Sequence, residues 1–183
     1  MTMDEIIDFV SGLEGVLAVR PQPGDGTPEL AWGDAFFYYS PDGVVPTTVQ
    51  PFATIVTKNY PEDETSRLER PGAFRVNVAA GREAFVHWSG HAPREPGPAA
   101  RSGAGSGPGG GTRSGGGDGP GGDGGGGDAE DAEDAVIAHP VYGAQSWLAV
   151  VNPGPRTARV LRELLSQAHR LARARHERRA AAG

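Results

Sequence analysis

Apolar residues recur at helical spacing near both ends of this chain and at strand spacing between them. Ile6, Phe9, Val10 and Leu13 follow Thr2 and Glu5, which stand three apart as a capping box requires. A first helix is therefore predicted over Met3 to Leu13, with Gly15 as its stop. Near the other end Val160, Leu161, Leu164, Leu165, Ala168, Leu171 and Ala172 keep three- and four-residue spacing after Pro153, Gly154 and Pro155. That pattern predicts a long amphipathic helix, fraying beyond about His176. A short helix over Gly81 to Trp88 places Ala84, Phe85 and Trp88 on one side.

Strand patterns fill the middle. Val16 to Val19 ends at a Pro and Gly turn cluster, and the consecutive aromatics of Ala35 to Tyr39 favour sheet over helix. Successive strand residues face opposite ways, so Phe37 and Tyr39 share one face and Phe36 and Tyr38 the other. One face belongs to the core; the other is either packed or a ligand surface. Phe52 to Lys58 reads as the next strand, and one helical turn is expected around Glu64 to Leu68. Ala73 to Val78 alternates cleanly, predicting a half-buried antiparallel strand with Arg75 and Asn77 turned outward. His139 to Pro153, HPVYGAQSWLAVVNP, is a polar turn running into a strand, Trp147 to Val151, that joins the last helix to the sheet.

Composition changes this picture in one place. Most of the 29 glycines fall between Ala92 and Glu133, a stretch too poor in apolar residues to offset its ordering entropy. It is read as a disordered, low-complexity insertion within one domain spanning residues 1–183, because the strand and helix after it cannot form a core alone. The expected fold class is α+β: a mainly antiparallel sheet with the N-terminal and C-terminal helices packed on it, interrupted by the Gly-rich insertion.

The formal charge is −6, from 17 basic and 23 acidic residues, which argues against general affinity for nucleic acid. The last helix is nonetheless rich in arginine towards its far end, where positive charge complements the helix dipole. The absence of cysteine excludes disulfides, thiolate nucleophiles and zinc-thiolate sites. With no secretory signal pattern and no apolar run long enough to span a bilayer, a cytoplasmic protein is expected, with no membrane partner.

No motif carries chemistry outright. His87 and His91 stand four apart, but Gly90 separates them, and no carboxylate completes a ligand set; no metal and no cofactor are expected. Ser146 sits in GAQSW rather than in a nucleophile elbow. What remains is a group of polar and aromatic residues near strand ends: Trp32, Asp34, Tyr38, Lys58, Arg75, Asn77, His139, Tyr142 and Asn152. Donors, acceptors and rings together suit a small-ligand cleft. The leading expectation is a non-catalytic module that binds a small molecule or a protein there. An enzyme using Lys58, Asp34 and His139 is the alternative, and requires those side chains to converge.

The blocks MDEIIDFV, ELAWGDAFFYY, QPFATIVTKNYP, RPGAFRVNVAAGREAF and HPVYGAQSWLAVVNPGPRT resemble the DUF6194 family, small actinobacterial proteins of unknown function. The resemblance brings no activity, cofactor or site residue with it, and the Gly-rich tract lies outside it. In arrangement alone, the order of helix, antiparallel strands, tryptophan-bearing strand and terminal helix is similar to two-layer MmcQ/YjbR-type domains. Members of that group are often labelled DNA-binding, which implies a nucleic-acid-binding alternative.

Overall fold

A computed structural model describes residues 1–60, 66–93 and 133–182. The first helix, α1 (Met3–Ser11), opens on the expected capping box: the Thr2 amide donates to Glu5 Oε2 at 2.8 Å and the Glu5 amide to Thr2 Oγ1 at 3.2 Å. It closes at Gly12, earlier than Gly15, so the buried stripe is Ile6, Ile7 and Val10. Gly15 instead turns the chain into the sheet with φ +70°, and a Cβ there would meet the Tyr39 ring at 2.9 Å.

Six strands follow: β1 (Val16–Val19), β2 (Ala35–Tyr39), β3 (Ala53–Val56), β4 (Arg75–Val78), β5 (Val136–Ala138) and β6 (Leu148–Val151). They form one sheet in the order β1-β2-β3-β4-β6-β5, with every neighbouring pair antiparallel. Between β4 and β5 lies α2 (Arg82–Ser89), stopped by Gly90 in the left-handed conformation, and α3 (Ala158–Ala182) closes the fold. The α+β expectation holds, with the terminal helices on the sheet. The last helix runs past His176, carried by the Arg173–Glu177 pair at 2.8 Å, one helical turn apart.

The register decides which side chains share a face. Phe37, Ile55, Val76, Val78, Leu148 and Val150 meet Ile6, Val10, Leu161, Leu164, Leu165 and Ala168 in the main core. Each such residue contributes roughly 1.5–3 kcal/mol by leaving water. On the opposite face one register row runs Val19, Phe36, Thr54, Asn77, Ala149, Ile137 across the whole sheet. This second face is covered too. All four residues of β4 are buried, so Arg75 and Asn77, expected to face water, do not.

The remaining expectations fall at the gaps. The disordered stretch expected from Ala92 to Glu133 lies, except for its ends, outside the described residues. Its last residue, Glu133, pairs in a parallel bridge with Val151 and ion-pairs with Arg70, so the chain rejoins the fold there. The helical turn expected at Glu64 to Leu68 is partly outside the described residues; of the rest, Ser66 and Leu68 lie in turns and none is helical.

Candidate functional site

The covered face of the sheet encloses a cavity of about 440 Å³, within the roughly 300–1,000 Å³ usual for small-molecule sites. Its floor is the sheet itself: Phe36 from β2, Thr54 and Val56 from β3, Arg75 and Asn77 from β4. Gln50 and Pro51, which lead into β3, and Tyr60, which follows it, form one wall. His139, Val141, Tyr142 and Trp147, from the connection between β5 and β6, form the other. Val141 and Tyr142 are 38% and 47% exposed, whereas Trp147 is 8% exposed, so the connection is wet at its tip and dry at its base.

Strand geometry places the polar floor. Asn77 and Thr54 are register partners, and Asn77 Nδ2 donates to Thr54 Oγ1 at 2.9 Å. Arg75 lies two residues along β4 on the same face and donates from Nε to Asn77 Oδ1 at 2.7 Å, and from Nη1 to Ser66 Oγ at 2.7 Å. The result is an ordered line of hydrogen bonds through side chains that are all less than 9% exposed. Buried polar groups carry a desolvation cost unless bonded in this way.

His139 shapes the second wall. Its Nδ1 accepts from the amides of Val141 and Tyr142, each at 3.1 Å, so the ring closes its own His-Pro turn and keeps its hydrogen on Nε2. Its ring is 4.9 Å from that of Tyr142 and 6.3 Å edge-on to Trp147, centre to centre.

Of the nine residues singled out from sequence, Arg75, Asn77, His139 and Tyr142 line this cavity. The other five are engaged elsewhere. Lys58 Nζ donates to the carbonyls of Trp32 and Leu30, the latter at 3.3 Å, and Trp32 Nε1 donates to Thr27 O at 3.2 Å, which fastens the loop before β2. Asp34 accepts from the Thr57 amide at 2.8 Å, the Thr57 hydroxyl at 2.9 Å and the Tyr60 hydroxyl at 2.7 Å. Asn152 Oδ1 accepts from the Phe74 amide at 3.0 Å and ties β6 to the start of β4. Tyr38 is half-buried against Leu17 on β1, and burial raises its hydroxyl pKa. Lys58, Asp34 and His139 thus each bind a different set of partners.

Sequence reasoning did not pick out Phe36, Thr54, Tyr60 or Trp147 as site residues. Register supplies the signal for the first two, since it sets Phe36 and Thr54 in one row with Asn77, opposite the core face. Among the described residues no three His, Cys, Asp or Glu side chains gather as metal ligands. His87 instead lies 5.2 Å edge-on to Trp88, and His91 5.5 Å from the Phe85 ring. Nor is any helix among these residues long and apolar enough to cross a membrane. On α3, Arg159 pairs with Glu163 at 2.7 Å and Arg173 with Glu14 at 2.8 Å.

Among known proteins, the model of a family of unknown function, DUF6194, matches residues 1–108 and 111–181. The chain belongs to DUF6194. The match leaves only residues 109 and 110 uncovered between its two segments, so it runs into the Gly-rich tract from both sides. No curated protein and no solved structure matches the chain.

Proposed function

We propose that this DUF6194 protein is a non-catalytic module that binds a small, mainly apolar molecule in the cavity over the sheet. The observation that carries the reading is the cavity's construction: about 440 Å³ between a sheet floor and two walls, aromatic at the sides and polar along one line. An apolar enclosure with few oriented polar groups is the usual form of a small-ligand site. Catalysis by Lys58, Asp34 and His139 is the less supported reading, since the lysine and the aspartate hold loops rather than point at a shared reactant.

The neutral dye N-phenyl-1-naphthylamine tests the proposal, because its fluorescence rises on leaving water. Native protein is expected to take up the dye saturably. The double variant Val56→Phe/Val141→Trp, which adds rings at the floor and the mouth, is expected to weaken uptake by more than about tenfold, equivalent to 1.4 kcal/mol. Val86→Trp, on the exposed side of α2, is expected to leave it unchanged. No saturable uptake, or equal uptake by the double variant, would remove the cavity as a binding site.

A further inference from the structure

We infer that the cavity selects ring-bearing molecules that present a hydrogen-bond acceptor oxygen, a carboxylate or a carbonyl, in preference to those that present an ammonium group. The inference rests on the reading of the cavity as a ligand site and specifies its chemistry.

A guanidinium only donates, so the Asn77 atom 2.7 Å from Arg75 Nε is the amide oxygen. That fixes the amide's orientation: Nδ2 faces Thr54, and at 2.9 Å the threonine oxygen is the acceptor. The Thr54 hydroxyl therefore keeps its own hydrogen, which meets no acceptor among the described residues. Asn77 likewise has one N–H beyond the bond to Thr54. Both residues line the cavity, and both are nearly dry, at 8% and 3% exposed.

Arg75 and His139 add no acceptor beside them. Whatever else Arg75 and His139 bind, neither offers a lone pair: the guanidinium has none, and the imidazole's is occupied by the two amides at 3.1 Å. Tyr60 donates its hydrogen to Asp34 at 2.7 Å, and its oxygen can accept from a ligand at the wall, away from Thr54 and Asn77. Among the described residues, the floor thus presents two donor hydrogens, those of Thr54 and Asn77, that meet no acceptor. A ligand oxygen placed over Thr54 and Asn77 satisfies them, whereas an ammonium there, itself only a donor, leaves both without an acceptor, which is disfavoured. Phe36, Tyr142 and Trp147 provide ring faces for the apolar part.

Three naphthalenes that differ only at position 2 test this by displacing N-phenyl-1-naphthylamine: the carboxylate, the carboxamide and the aminomethyl compound. The carboxylate and the carboxamide are expected to displace the dye at concentrations about tenfold below the amine, as one net hydrogen bond predicts. A larger effect of the carboxylate identifies an anion as the natural class; equal effects identify a neutral carbonyl. Thr54→Val, which removes the hydroxyl and keeps the shape, is expected to erase most of the preference, and Thr54→Ser to keep it. Equal displacement by the amine in the native protein overturns the inference without any variant, as does a preference unchanged in a Thr54→Val protein that still binds dye. Failure of the native protein to bind the dye at all is a distinct result, and removes the cavity reading itself.

Discussion

Replacing Asp34 with alanine is expected to lower the unfolding free energy by about 2–4 kcal/mol, because it strands three part-buried donors that the carboxylate now satisfies. Asp34 is 1% exposed and sits at the residue before β2, where it ties the loop to the end of β3 through Thr57 and to the cavity wall through Tyr60. Asparagine keeps an oxygen for Thr57 and can reverse the bond to Tyr60, so Asp34→Asn is expected to cost less than half as much. Urea unfolding monitored by tryptophan fluorescence measures both; a change under about 0.5 kcal/mol for the alanine variant would show that the carboxylate holds nothing. Tyr60 adds a pH signature. Burial first, and then the bond to Asp34 and its negative charge, raise the phenol above its usual value of 10. A raised folded pKa gives stability that is whole below about pH 10 and is lost as pH rises towards the folded value. Tyr60→Phe is expected to flatten that alkaline limb.

Much of the fold is written locally. Ala35 to Tyr39 is strand on chain composition alone, and its ends coincide with β2; Thr2 and Glu5 announce α1 because both arms of the capping box lie within one turn. β5 was not foreseen. Val136–Ala138 is only three residues long and follows an acidic run, and it becomes a strand because β6 pairs along all of it. Local pattern fails in a more instructive way at β4. Alternation of Val76 and Val78 with Arg75 and Asn77 separates two faces correctly, but it cannot say what covers the second one. The cover comes from Gln50, Pro51, Tyr60 and the segment from His139 to Trp147, which are far apart in sequence.

The same distinction explains the outcome for the site residues. Trp32, Asp34 and Lys58 are polar or aromatic residues at strand ends, and such residues close loops as readily as they bind ligands; here they close loops. Arg75, Asn77, His139 and Tyr142 come together because register and the β5–β6 connection place them over one patch of sheet. Thr54 escaped notice because a threonine in a strand is ordinary. Only its pairing with Asn77 gives it a direction.

A second large effect is expected at Asp134, where the chain re-enters the fold after the Gly-rich tract. Asp134 has φ +50°, and its carboxylate accepts from the amides of Gly154 at 2.7 Å, Arg156 at 2.9 Å and Thr157 at 2.9 Å, and from the Thr157 hydroxyl at 2.5 Å. It caps the start of α3 from a residue some twenty positions earlier, and so does for this helix what Thr2 does for α1. Against the opposing effect of burial, the Thr157 hydroxyl and the amides of Arg156, Gly154 and Thr157 bring its pKa from 3.8 down to about 2. A depressed folded pKa means stability present above the unfolded value and lost as pH falls from about 3.8 towards 2. Asp134→Ala is expected to cost about 1–2 kcal/mol at neutral pH, the range for a lost helix cap, and progressively less as pH falls from about 3.8 through about 2. Gly154→Ala reaches the same end by another route, because its Cβ would lie 2.5 Å from Asp134 Oδ2 and force the carboxylate off the amides. Thermal melts of the three proteins from pH 7 to pH 2 should therefore draw together towards the acid end, and curves that stay parallel throughout would mean the cap's charge contributes nothing to holding α3 on the sheet.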